Sequence, residues 1–130
     1  MPTLALLTTA LLFGGMALFA FGFAAFIFDT LPAGQTGPVI RRAFAWFYLF
    51  VLGASAVAAG LALAGDAVSA GILAAIALTA LYARQSLMPA VNRATDSGDK
   101  ARFRKLHGFS VAITLAHIAG SGWVLTRLAA

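Results

Sequence analysis

The sequence has no cysteine among its 130 residues. Disulfide bonds, thiolate metal sites and cysteine nucleophiles are therefore excluded. Charge is also scarce: Asp, Glu, Lys and Arg together make up 10% of the residues, whereas about a quarter is usual for a soluble domain. An extensive water-facing surface is not expected.

Groups for catalysis are equally few. The acidic residues are four aspartates, Asp29, Asp66, Asp96 and Asp99, and all lie at or beyond the ends of apolar runs. No Ser/His/Asp grouping, HExxH motif or glycine-rich phosphate loop is present. Three scattered methionines do not form a soft-metal cluster. We therefore expect no enzymatic activity, no metal and no cofactor.

Apolar residues make up 62% of the chain and occur in long uncharged runs. About 20 such residues cross the roughly 30 Å hydrocarbon layer as a helix. Four runs are long enough, over residues 4–28, 43–64, 67–87 and 106–126. The sequence therefore predicts an all-α integral membrane four-helix bundle, with residues 1–130 forming one transmembrane domain.

Turn-forming residues separate the runs. Residues 31–38, LPAGQTGP, read as a connector, with Pro38 opening the second helix. Gly65 and Asp66 form a minimal turn, and Pro89 is expected to end the third helix. Asp96 or Ser97 is the expected N-cap of the fourth helix, with Asp99 in its first turn.

Basic residues lie mostly on one side of the predicted bundle. Eight flank the first and third connectors, and Arg127 alone lies on the opposite side; the eight are Arg41, Arg42, Arg84, Arg93, Lys100, Arg102, Arg104 and Lys105. The positive-inside rule then places these connectors in the cytoplasm and both termini outside. Their clustering at run ends favours contact with anionic lipid headgroups and argues against nucleic acid.

Small residues recur at helical spacing and predict close helix packing. Gly15 and Gly22 belong to such a row on the first helix, Gly60 on the second and Gly71 on the third. Val51 is expected to face outward.

The fourth helix carries a polar seam. At 100° per residue, five side chains fall within an arc of roughly 80°; they are His107, Ser110, Thr114, His117 and Ser121. The two histidines are about 15 Å apart along the axis, too far to share one ion. Three interpretations remain open. The first is a hydrogen-bonded packing seam, in which His117 pairs with Ser121 or the Ser110–Thr114 side of its own helix, or with Thr8, Ser55 or Thr79 across the bundle. The others are a path for a proton or small solute and a haem ligated by His117.

Four segments resemble a known family: GGMALFAFGFAAFIFDTLPAGQTG, RRAFAWFYLF, LMPAVNRATDSGD and FRKLHGFSV. They are similar to a bacterial four-helix membrane family of unknown function, broadly related to human transmembrane protein 205. The resemblance extends from Gly14 to about His117. It implies an integral protein of the bacterial inner membrane and supplies no reaction. Its shared positions suggest that Arg41, Asn92, His107 and Ser110 meet as one polar site on the cytoplasmic side.

These observations predict a small accessory or scaffolding protein, or a subunit of a larger membrane complex. Its partner would be another membrane protein or a second copy of the chain. The alternative is a protein that handles a small solute, an ion or haem through the polar face of helix four.

Overall fold

The computed structural model describes residues 2–130 and consists of four long helices. They are α1 (Pro2–Thr30), α2 (Ala33–Ala62), α3 (Ala67–Asp96) and α4 (Lys100–Ala129). Each has 29 or 30 residues and so is about 45 Å long, which exceeds the roughly 30 Å hydrocarbon layer. All four are apolar enough to cross a bilayer. The protein is an all-α, multi-pass membrane protein.

The helices form a bundle in which each packs against the next and α4 returns to α1. The fully buried side chains of the core are mostly apolar and come from all four helices; the largest are Leu12, Met16, Tyr48, Val51, Leu73, Leu87 and Val124. The outer surface is also apolar, with Trp46 and Leu78 about 70% exposed. Such a surface suits lipid, whose tails are as apolar as leucine.

The first connector is shorter than the sequence predicts. Only Leu31 and Pro32 interrupt the helices, and α2 begins at Ala33 with Pro38 inside it. Pro38 lies in the second turn, where its missing N–H leaves the Gly34 carbonyl without its usual donor. The early start of α2 places Arg41 on a rigid helix that packs beside α3.

The expectation that Pro89 ends the third helix is wrong, because α3 continues to Asp96. A π-helical turn, Ala83–Leu87, precedes the proline, and the Met88 N–H bonds to the Ala83 carbonyl five residues back. This wider turn accommodates a proline ring that would otherwise clash with the carbonyl four residues earlier. The continuation carries Asn92 and Asp96 to the level of Arg41.

The third connector also differs in its capping residue. Asp99 is the N-cap of α4, and its carboxylate accepts a hydrogen bond from the Arg102 N–H at 3.1 Å. Gly98 has a φ of 72°, the left-handed conformation that glycine adopts without a steric cost. The expected cap at Asp96 or Ser97 is therefore wrong, and the Asp96 carboxylate is left to bind Arg41.

At the opposite end of the bundle, Asp66 joins three elements. Its carboxylate caps α3 by accepting bonds from the N–H groups of Val68 and Ser69, each at 3.2 Å. It also accepts the Ser69 hydroxyl at 2.6 Å and forms a two-point ion pair with Arg127 at 2.9 and 3.0 Å. One side chain thereby ties the α2–α3 turn to the end of α4.

This cluster makes stability depend on pH. The hydrogen bond from Arg127, followed by that from Ser69, holds the pKa of the Asp66 carboxyl well below its usual value near 3.8. A lowered pKa stabilises the fold above the unfolded-state pKa and loses that contribution as the pH falls toward the folded-state pKa. The difference in melting temperature between wild type and Asp66→Asn should be full at pH 7 and should narrow below about pH 4. Asp29→Asn, which alters an exposed carboxylate, should leave the melting temperature unchanged at both pH values. A constant Asp66 difference down to pH 3 would contradict this prediction.

The predicted small-residue contacts are largely wrong for the isolated bundle. A Cβ added at Gly15 would lie 2.7 Å from the Phe50 ring, so this glycine does form a helix contact. A Cβ at Gly22 would meet only Leu18 of its own helix, and at Gly60 and Gly71 it would meet nothing within 4 Å. Val51, expected outside, is fully buried. The physical reason is that lipid-facing and interior surfaces are equally apolar here, so small residues alone do not identify the interior.

Candidate functional site

One end of the bundle contains a cavity of about 840 Å³. Its walls are the C-terminal parts of α1 and α3 and the N-terminal halves of α2 and α4. All four helix ends at the first and third connectors therefore contribute. The volume falls within the roughly 300–1,000 Å³ that is usual for small-molecule sites.

Aromatic side chains form much of the cavity wall. A π-helical turn, Phe19–Phe23, interrupts α1 at this level. The Phe19 ring stacks on Phe47, with centroids 4.2 Å apart, and meets Phe44 edge-on at 5.2 Å. Phe21 and Phe28 also line the cavity from α1. The aromatic cluster gives the cavity an apolar wall that extends into the bundle.

The cavity is open on the side between α1 and α4. The first part of α1, Pro2–Leu18, packs against both α2 and α4. Beyond the π-helical turn, residues Ala24–Thr30 pack principally against α2. The two helices therefore separate toward the connector end, where the cavity-lining residues Phe21 on α1 and Val111 and Leu115 on α4 are exposed.

A charged pair lies at the connector end of the cavity. The Arg41 guanidinium donates two hydrogen bonds to the Asp96 carboxylate, at 2.5 and 3.3 Å, and a third to the Asn92 carbonyl at 3.4 Å. The two side chains are 36% and 65% exposed, so the pair is in contact with solvent. Planar two-point pairing of this kind is the geometry in which arginine binds carboxylates and phosphates.

His107 lies on the α4 wall of the same cavity. Its ring is stacked on that of Phe103, with centroids 5.3 Å apart and planes 9° from parallel. Within residues 2–130 its ring nitrogens make no hydrogen bond, and the residue is exposed. Stacking therefore orients the imidazole while its nitrogens stay available.

Two further polar groups lie deeper in the cavity. Ser110 is buried and donates its hydroxyl proton to the His107 carbonyl at 2.8 Å, and Thr114 follows it one turn further along. Behind Thr114 lies the hydroxyl of Tyr48, a residue that is 1% exposed. This hydroxyl has no hydrogen-bond partner by geometry among the residues that the structure describes. A buried hydroxyl without a partner is destabilising in a packed core.

The structure divides the predicted polar seam into two parts. His107, Ser110 and Thr114 line the cavity, whereas His117 and Ser121 lie in the packed half of the bundle. The Nε2 atom of His117 is 2.6 Å from the Thr79 hydroxyl on α3, so Thr79 is its hydrogen-bond partner among the predicted candidates. Ser121 donates to the Ile118 carbonyl of its own helix.

This pairing predicts the cost of disturbing the seam. Thr79→Val keeps the shape of the side chain but removes the cross-helix hydrogen bond. We expect a coupling energy with His117→Leu of about 0.6–1.7 kcal/mol, as found for such bonds in membranes. The measurement is a double-mutant cycle of unfolding free energies in detergent. Thr126→Val, whose hydroxyl bonds only within α4, is the control. Additive effects of the two seam variants would contradict the pairing.

Metal ligation has limited support. Within residues 2–130 no three His or Asp side chains come close enough to hold an ion. An iron bound at Nε2 of His117 would have to displace Thr79, and His117 does not line the cavity.

Sequence reasoning brought Arg41, Asn92, His107 and Ser110 together, and the structure places all four on the wall of one cavity. The site predicted from the sequence did not include Asp96, Phe103 or the aromatic wall of the cavity. The opposite charges of Arg41 and Asp96 at neighbouring helix ends were a signal that could have paired them.

Residues 7–100 of the chain match a family described as a domain of unknown function, DUF4149. The chain belongs to this family. In this DUF4149 protein the match includes α1 from residue 7 onward, α2 and α3, with Arg41, Asn92 and Asp96, and ends at the start of α4. Comparison with curated proteins and with solved structures gives no match.

Proposed function

We propose that this protein binds a small apolar or amphipathic molecule within the bilayer, and that it is not an enzyme. The observation that carries the proposal is the cavity of about 840 Å³, whose wall includes exposed apolar side chains of α1 and α4 and whose charged groups lie at one end. The cavity favours the second interpretation of the sequence, a protein that handles a small solute. The binding site that we propose lies at the connector end and does not extend along the whole of α4.

The chemistry of the cavity supports binding over catalysis. A binding site typically combines an apolar wall with a few convergent polar groups. Catalysis would require a nucleophile or base positioned by a partner. Here the Ser110 hydroxyl donates to a backbone carbonyl, and Asp96 pairs with Arg41. We likewise propose no haem, because Thr79 occupies the ligating nitrogen of His117.

Photolabelling tests the proposal on the unaltered chain. The probe is a single alkyl chain with a diazirine, applied to protein in detergent or vesicles. Labelling should saturate, should be competed by the unlabelled compound, and should map to the facing segments 19–28 and 103–115. Labelling that rises linearly with probe and is spread over the outer surface would overturn the proposal.

We also propose the orientation that the charges indicate, in a bacterial inner membrane. Eight basic residues lie toward the connector end of the cavity, whereas Arg127 at the other end is neutralised by Asp66. The connectors that hold the cavity would then be cytoplasmic and both termini outside.

Single cysteines test the orientation without interference, since the chain has none of its own. Gly34→Cys and Ser97→Cys should resist an impermeant thiol reagent in intact cells, and Gly65→Cys should react. All three positions are exposed, so access depends on the side of the membrane. Reaction of Gly34→Cys from outside would reverse the assignment.

A role as an accessory subunit is the second candidate, and it is favoured by the outward position of Gly60 and Gly71. Small residues on a lipid-facing surface allow another helix to approach closely. Co-purification in mild detergent with a larger complex, lost in Gly60→Leu, would support this role. Purification alone as a monomer would remove it.

A further inference from the structure

We propose that the ligand is an anionic amphiphile, which enters sideways from the leaflet through the gap between α1 and α4 and places its head at Arg41. This inference rests on the proposed function and specifies the chemical class of the ligand. The class is one apolar tail with a carboxylate or phosphate head.

The route of entry follows from the separation of α1 and α4. Helices α2 and α3 pack against each other over residues 67–87, and beyond that the hydrogen bonds of Arg41 to Asn92 and Asp96 join them at the back of the cavity. On the front, residues Ala24–Thr30 of α1 pack principally against α2, and the cavity-lining residues Phe21 on α1 and Val111 and Leu115 on α4 are exposed. A molecule already in the bilayer reaches this opening without crossing water.

The dimensions suit a chain in one leaflet. On α4 the cavity wall extends from Phe103 to Leu115, which is about 18 Å at 1.5 Å per residue. One leaflet supplies about half of the 30 Å hydrocarbon layer, or roughly 15 Å. A tail that lies along the wall therefore remains at the depth it has in the membrane. Its far end meets the rings of Phe19 and Phe47.

The charge of the head follows from the polar end. Arg41 offers a guanidinium fork to the cavity, and His107 offers a ring nitrogen held by stacking on Phe103. Arg41 is currently paired with Asp96, a carboxylate with 65% of its side chain exposed. An anionic head can replace that carboxylate on the Arg41 guanidinium. The free-energy cost is small, because the exposed Asp96 carboxylate can be solvated by water instead. Asp96 then acts as a competitor that a ligand displaces.

The surroundings favour the same sign. Eight basic residues lie toward this end of the bundle, against three aspartates, Asp29, Asp96 and Asp99. A surface of this kind attracts anionic headgroups in the adjoining leaflet. The local concentration of anionic amphiphiles at the opening is raised before any contact with Arg41.

The test compares three probes that share one diazirine chain and differ in the head: carboxylate, alcohol or amine. Charge-assisted hydrogen bonds are stronger than neutral ones, so the carboxylate should label the cavity at a concentration at least about tenfold lower than the alcohol. Arg41→Gln should remove this preference. Asp96→Asn should strengthen carboxylate labelling several-fold, because it frees the fork, and should leave alcohol labelling unchanged.

Arg93→Gln is the matched control: it removes an arginine charge from the same end of the bundle, but Arg93 lies on α3 and does not line the cavity. It should change the carboxylate preference little. Asp96→Asn keeps the test decisive if Arg41→Gln fails to fold.

Saturable labelling by all three heads with equal affinity would overturn this inference and leave the proposed function standing. Absence of saturable labelling by any head would overturn both. A vesicle arm with brominated or diazirine-bearing phosphatidylglycerol separates a two-chain lipid from a single-chain ligand; preferential cavity labelling by the two-chain lipid would overturn the one-tail assignment.

Discussion

Leu73→Ala is expected to lower the free energy of unfolding by about 2–5 kcal/mol, the usual cost of truncating a buried leucine. Leu73 is 0% exposed and belongs to the core contributed by all four helices. Truncation leaves a cavity that the surrounding side chains only partly fill, and their dispersion contacts are lost. The loss applies in lipid as it does in water, since it concerns packing inside the bundle.

Leu78→Ala on the same helix is the matched control. Leu78 is 69% exposed, so detergent or lipid tails can fill the space that truncation of its side chain leaves. We expect a change of less than about 0.5 kcal/mol, as for other surface substitutions. The measurement is an unfolding titration of both variants in SDS–detergent mixtures. Equal losses would mean that the inward face of α3 is not the one described.

The contrast between these leucines explains which parts of the fold the sequence could predict. Long uncharged runs identify four helices because their length is set by the bilayer. The inward face of α4 was also predictable, since Ser110, His117 and Ser121 would be costly against lipid. On α2 the prediction failed: Val51 is buried and Gly60 is outside. Both faces of that helix are apolar, so its sequence has no contrast between lipid and core.

The candidate site was predictable only in its polar part. Arg41, Asn92 and His107 are positions that the family resemblance singled out, and the four-helix topology brings their helix ends to one side of the bundle. The cavity itself depends on two π-helical turns, at Phe19–Phe23 and Ala83–Leu87. One precedes the separation of α1 from α4, and the other lets α3 continue through Pro89 to Asp96. The first turn contains Gly22 and the second precedes Pro89, but neither residue specifies a π-helical turn, so the cavity was not predictable from the sequence.

Ala24→Phe is expected to reduce binding of the single-chain carboxylate probe at least tenfold, which is a loss of about 1.4 kcal/mol. Ala24 lines the cavity on α1 just after the π-helical turn, on the edge of the opening. A benzyl group at this position projects into the gap toward α4 and occupies space that the tail requires. The fold should tolerate it, because the gap is the one place in the bundle where α1 and α4 do not pack.

Ala25→Phe separates occupancy of the cavity from a general effect on α1. Ala25 is adjacent, exposed, and absent from the cavity wall, so Ala25→Phe should leave saturable labelling unchanged.

Val111→Phe closes the same opening from α4, and Ala112→Phe, at the exposed neighbouring position, is its control. If both walls contact one tail, Ala24→Phe and Val111→Phe should each weaken labelling, and their combination should weaken it less than the product of the two effects. Wild-type labelling in both blocking variants would show that the probe binds outside the cavity. Equal losses in the control variants would instead assign the effect to the helices themselves. Only loss confined to the two lining positions is the result expected of a ligand that lies between α1 and α4.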